Sequence, residues 1–157
     1  MSIILIFFAN IFRFVGIISA EKIKGILKLT AKVPVMCALA TISSVNFGSY
    51  VGTDAFGSGA IAVNCSPGED FTISLGTGGS GFFNQRKMNN GSSLLNYNLY
   101  TNNTYVFIWG NGAGGTYNVS GVGTGVLQNY WIYGKIISGQ NVSVGNYSDN
   151  IVVTIEY

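Results

Sequence analysis

Beyond residue 20 no stretch keeps the 3.6-residue spacing of an amphipathic helix, whereas runs that alternate apolar with polar residues recur between clusters of Gly, Asn and Ser. That pattern confines the chain to an all-β fold. Residues 26–35 give the clearest run: Leu27, Leu29, Ala31, Val33 and Val35 alternate with Lys28, Thr30, Lys32 and Pro34. One face of such a strand is wholly apolar and the other mostly polar. Further strands are expected at 60–65, 71–75, 94–100, 104–109, 131–137 and 151–157, with turn-rich stretches at 76–81, 89–93, 110–115 and 121–125 between them. Short strands with this punctuation suggest a sandwich of the immunoglobulin type. No repeat or linker divides the chain, so its 157 residues read as one domain behind a separate N-terminus.

The last expected strand is unusual. Ile151, Val153, Ile155 and Tyr157 form an apolar face that continues to the final residue. As an edge strand with no successor it leaves ladder groups unpaired, a liability that natural proteins cover. Something beyond the strand itself is expected to cover it.

Residues 1–20 are apolar apart from Asn10, Arg13 and small polar residues, and they close on Ile18-Ser19-Ala20, a usable cleavage site. They read as a secretory leader, irregular in lacking Lys or Arg before the apolar run and in placing Arg13 inside it. A buried arginine also disfavours a lasting membrane span, at a cost of about 2.5–3.5 kcal/mol. Export places Cys37 and Cys65 in an oxidising compartment, where a single intrachain disulfide is expected; two buried thiols are the alternative.

Composition removes whole classes of function. The chain is 48% apolar and 9% charged, carries a net charge of +2 and has no histidine. So weak a charge cannot neutralise a nucleic-acid backbone. Without histidine there is no Ser-His-Asp or Cys-His nucleophile and no His-ligated zinc, and neither a catalytic, a cofactor nor a metal site is expected. Gly76-Thr77-Gly78-Gly79-Ser80-Gly81 fits G-x-G-x-x-G after a strand, but neither the helix nor the acidic residue of a dinucleotide site follows, so it reads as a hairpin loop. Glu69 and Asp70 are adjacent, hence on opposite faces of a strand, and do not form a catalytic pair. Asp54 and Asp149 are isolated, without a calcium-loop pattern. Trp109, Tyr117, Tyr130, Trp131 and Tyr133 suit either the core of a small sandwich or a surface on which sugar rings stack. Sequons at Asn64, Asn90, Asn102, Asn118, Asn141 and Asn146 are what so Asn-rich a chain yields by chance.

Several phrases, taken in order, resemble the spore coat protein U domain family, which includes subunits of archaic chaperone–usher pili. They are Val45-Asn46-Phe47-Gly48-Ser49-Tyr50, Gly59-Ala60-Ile61-Ala62-Val63-Asn64-Cys65-Ser66-Pro67-Gly68 and Phe71-Thr72-Ile73-Ser74-Leu75. Arg86-Lys87-Met88, Leu95-Asn96-Tyr97-Asn98-Leu99-Tyr100, Trp109-Gly110-Asn111-Gly112 and Tyr133-Gly134-Lys135-Ile136 continue the series, which closes on Gly145-Asn146-Tyr147 and the last ten residues. The resemblance runs from about Cys37 to the C-terminus. Asn111, where the family often has an acidic residue, and Lys135, where Arg is usual, depart from the pattern.

The resemblance implies an incomplete immunoglobulin-like β-sandwich that lacks its last strand and is completed by donor-strand complementation. On that reading residues 1–20 are the leader, 21–36 the donor-strand segment and 37–157 the sandwich domain. Leu27, Leu29, Ala31, Val33 and Val35 then plug the groove of the next subunit beside its own Ile151, Val153, Ile155 and Tyr157. The segment 26–35 reads equally as the first strand of its own sandwich. The expected partners are a periplasmic pilus chaperone, an outer-membrane usher and neighbouring subunits, and the expected destination is the cell surface. The leading expectation is a non-catalytic subunit of a surface fibre serving attachment and biofilm formation. A secreted coat or envelope-matrix protein and a carbohydrate-binding module are the competing readings.

Overall fold

The computed structural model describes residues 21–157, and the expected leader at 1–20 lies outside the described residues. The chain divides into two units, Met1–Lys32 and Val33–Tyr157. In the first, residues 21–32 form neither helix nor strand and their side chains are exposed.

The second unit holds eight strands: β1 (Cys37–Ile42), β2 (Ala55–Cys65), β3 (Asp70–Leu75), β4 (Arg86–Asn89), β5 (Leu94–Tyr100), β6 (Val119–Val122), β7 (Gln128–Ile136) and β8 (Val153–Glu156). They make a five-stranded sheet in the order β1-β2-β7-β5-β4 and a three-stranded sheet in the order β6-β3-β8. Every ladder is antiparallel. The expected all-β, two-sheet architecture is therefore present.

The core follows the period of two. Ile61, Val63 and Cys65 of β2, Phe71, Ile73 and Leu75 of β3, Leu95, Tyr97 and Leu99 of β5, and Ile132 and Ile136 of β7 all point inward and are buried. Trp109 completes this layer: it is fully buried and its indole N–H donates to the carbonyl of Ile73 at 2.9 Å. Trp131 lies on the other face of β7 and is 58% exposed.

Cys37 and Cys65 are joined as a disulfide, directly opposed at the start of the β1–β2 ladder. The bond fastens β1 to β2, its one neighbour in the sheet among the described residues.

Several sequence expectations are corrected. Residues 26–35 form no strand in the single chain; alternation fixes which face is apolar, but a strand also needs a ladder partner. Residues 104–109 are not a strand either. There the Asn102 side chain accepts from the amide and hydroxyl of Thr104, at 3.2 and 2.6 Å, and Tyr105 turns the chain with φ of 56°. Only single bridges remain, Ile108 to Tyr100 and Trp109 to Tyr117. The last strand is shorter than expected, with Ile151 and Tyr157 outside β8. β2 begins five residues earlier than the expected 60, through Phe56-Gly57-Ser58-Gly59. β1, β4 and β6 were not foreseen.

Candidate functional site

The two sheets are unequal in width, and on one side of the sandwich the core stays open between two chain segments. One is the continuation of β1. Its ladder ends where the amide of Ser43 donates to the carbonyl of Ala60 at 2.8 Å and the hydroxyl of Ser43 accepts from the amide of Ala60 at 2.7 Å. The hydroxyl takes the place of a backbone partner, and the chain then leaves the sheet edge.

It leaves inward because β2 and β7 make room. A Cβ built on Gly57 would stand 2.6 Å from the carbonyl oxygen of Asn46, one on Gly59 2.6 Å from that of Ser43, and one on Gly134 2.6 Å from the ring of Phe47. No side chain fits at these positions, so the inner face of the wide sheet has a hollow, and Val45 and Phe47 lie in it. Phe47 meets the ring of Tyr97 edge to face at 5.9 Å.

The opposite segment leads into β8. Tyr147, Asp149, Ile151 and Val153 line the groove on that side, facing Ile42, Ser43 and Val45. Leu75, Met88, Tyr97, Leu99 and Ile132 form its floor, so the groove opens directly onto core side chains. Its volume is about 280 Å³, and a second cavity of about 650 Å³ prolongs it past Phe47 and Tyr147 to Leu95, Ile136 and Val142. β8 pairs only with β3, and among the described residues its other edge has no ladder partner.

Asp149 holds this wall in place. One carboxylate oxygen accepts from the hydroxyl of Tyr97 at 2.7 Å, and the other from the amides of Gly79 at 2.9 Å and Asn150 at 2.8 Å. The glycine-rich loop, expected as a hairpin, instead carries the chain from β3 in one sheet to β4 in the other, and an amide in it serves an internal carboxylate. Burial, reinforced by the bond to Asp149, pushes the Tyr97 phenol far above its ordinary range.

Beneath the floor lies Arg86, with no accessible surface. Its guanidinium donates to the carbonyl of Gly76 through Nε at 3.0 Å and Nη2 at 2.7 Å, to that of Trp109 at 2.7 Å and to the Asn98 side chain at 2.8 Å. Burial pulls it down to about 10, with the charges of Tyr97 and Asp149 opposing, so it remains a cation at neutral pH. It ties the end of β3 to β4 and β5, the floor on which the groove rests.

Of the residues named from the sequence, Ile151 and Val153 line the groove, and Ile155 packs against the core further along β8. Tyr157 is 60% exposed and stands apart from the groove. Leu27, Leu29, Ala31, Val33 and Val35 are exposed. Sequence reasoning did not single out Val45, Phe47, Tyr97, Asp149 or Arg86 as site residues. The alternation of Val45 with Phe47 was a faint signal for the first two; the rest depend on tertiary contacts. Among the described residues no cluster of acidic or cysteine side chains is arranged to hold a metal ion, and no helix is long and apolar enough to cross a membrane.

The Spore Coat Protein U domain model matches residues 23–154. Protein U of Myxococcus xanthus is 33% identical over 73% of this chain and 72% of its own length. The fold is similar to a chain in the crystal structure of the CsuC–CsuE chaperone–tip adhesion subunit pre-assembly complex, from the archaic chaperone–usher Csu pili of Acinetobacter baumannii. The TM-score is 0.59 at 24% identity, over 80% of this chain and 40% of that one. This chain therefore spans less than half the length of that solved chain, and the likeness is one of fold.

Proposed function

Because the chain belongs to the Spore Coat Protein U domain family and presents a core-deep groove beside the free edge of β8, we propose that it is a structural subunit of a chaperone–usher surface fibre. Residues 1–20 direct export through the periplasm, 21–36 are the donor segment and 37–157 the acceptor sandwich. Leu27, Leu29, Ala31, Val33 and Val35 of one copy enter the groove of the next and add a strand to β8, so that the sandwich missing its last strand is completed in trans. A periplasmic chaperone covers the groove first, and an outer-membrane usher receives the subunit. The fibre serves attachment and biofilm formation, and the role requires no catalysis.

The groove itself carries the reading. Its floor is apolar core, and the donor's apolar face is exposed in the single chain, at 84% for Leu29 and 90% for Val33. Burying the four large side chains at about 1.5–3 kcal/mol each gives a gross gain of order 10 kcal/mol before ordering costs. Donor and acceptor surfaces differ, so the contact is heterologous and propagates as a fibre. Deleting residues 21–35 tests this: SDS-resistant ladders from the cell surface disappear while chaperone binding persists. Loss of folding with chaperone present overturns the donor role.

The family's description as the Spore Coat Protein U domain favours a second reading, deposition in a spore or envelope coat. Genes for a chaperone and an usher beside this one support the fibre, and their absence supports the coat.

A further inference from the structure

We propose that the outer face of the five-stranded sheet carries a binding site for an acidic saccharide, in the cavity between β4, β5 and β7. Tyr97 borders both this cavity and the groove, but the site belongs to the single subunit whether or not it polymerises.

The cavity has a structural origin. The β5–β7 ladder runs from Tyr100↔Tyr133 to Asn98↔Lys135 and stops there. Where Asn96 would meet Ile137, the side-chain amide of Gln140 takes the place of a strand: its oxygen accepts from the amide of Asn96 at 2.7 Å and its nitrogen donates to the carbonyls of Asn96 at 2.9 Å and Ile137 at 3.1 Å. The strands part over this plug. The resulting cavity of about 310 Å³ lies at the lower end of the range for small-ligand sites. Asn84, Gln85, Lys87, Asn96, Asn98, Tyr100 and Lys135 are among its polar lining residues, Asn98 being held by Arg86.

Amides both donate and accept, and so match sugar hydroxyls. Tyr100, which lines the cavity, offers a ring for the apolar side of a pyranose. The ring of Tyr105 packs on Phe56 at 4.9 Å and on Tyr100 at 5.6 Å. Tyr105 is the one non-glycine residue with positive φ among those described, a conformation a bulky residue rarely adopts without a compensating role. Charge selects the sugar. Lys135 is already paired with Asp54 at 2.8 Å, whereas Lys87 has no carboxylate within salt-bridge distance among the described residues. One uncompensated ammonium in a cavity lined with amides calls for a ligand carboxylate, as on a hexuronic acid.

The test titrates the full chain, in the assembly it adopts on purification, with tetragalacturonate and with the neutral maltotetraose while following binding by calorimetry. Tetragalacturonate binds and maltotetraose binds at least about tenfold more weakly, the loss expected when a charged hydrogen bond goes unmade. Lys87→Gln removes that preference. Tyr105→Gly, a change its φ favours, removes the ring that packs on Tyr100 and so weakens binding of the uronate. Equal binding of both sugars, no binding of either, or unchanged affinity in both variants overturns the proposal. Loss of polymerisation alone leaves these readouts in place, so failure of the fibre reading is separately visible.

Discussion

Replacing Arg86 by Met removes the guanidinium but keeps an unbranched side chain of similar reach. The carbonyls of Gly76 and Trp109 then lose their donor, and no other donor reaches them among the described residues. Asn98 suffers less, because its side-chain oxygen still accepts from the amide of Leu99 at 2.9 Å. Orphaning the buried carbonyl of Trp109 and the partly buried one of Gly76 costs about 1–3 kcal/mol each, with Gly76 at the lower end. Relief from burying a cation returns part of this. The net expectation is a loss of about 2–4 kcal/mol, large against the total stability of a small domain. Urea unfolding with the disulfide intact, followed by tryptophan fluorescence, measures it; Lys87→Met on the opposite face of β4 is the control and stays within about 0.5 kcal/mol of the parent. If Arg86→Met costs less than about 1 kcal/mol, the guanidinium does not pin the floor of the groove.

Adding a methyl at Gly59 forces the carbonyl of Ser43 away from β2, and Gly59→Ala is expected to cost about 1–3 kcal/mol by overpacking, measured by the same unfolding curves. Replacing Cys37 and Cys65 together by Ser frees a loop with a sequence separation of 28, and is expected to lower stability by about 3–4 kcal/mol. Alkaline pH separates Tyr97→Phe from the parent. The Tyr97 phenol is raised when folded, so above pH of about 10 the unfolded chain loses this proton first. The advantage of the parent over Tyr97→Phe is therefore full below pH of about 10 and shrinks above it, and an advantage that grows with pH contradicts the assigned direction.

The parts of the fold that rest on alternation were legible in the sequence. β5 was expected at the residues where it occurs, and the inward sets Ile61-Val63-Cys65 and Phe71-Ile73-Leu75 follow from the period of two. β1 and β6 escaped because Cys37–Ile42 and Val119–Val122 are small, largely surface-facing segments whose strand character comes from their neighbours. β4 was hidden by Arg86, a charged residue whose side chain enters the core. The wall made by Val45 and Phe47 was illegible for another reason: Gly57 and Gly59 of β2 and the distant Gly134 of β7 together make its bed, and no local pattern announces a hollow that only the paired β2 and β7 enclose. The aromatic set that suited either core or surface divides, Trp109 lying in the core and Trp131 on the exposed face of β7.

Hydrogen exchange at the free edge of β8 tests the central claim most directly. With residues 21–35 deleted and a synthetic peptide of residues 21–36 supplied in trans, the Val153–Glu156 amides that point away from β3 exchange rapidly without peptide and become protected at one peptide per subunit. A peptide with Leu27, Leu29, Val33 and Val35 changed to Ser gives no protection. Contradiction takes the form of β8 amides protected before any peptide is added, or equally exposed after it.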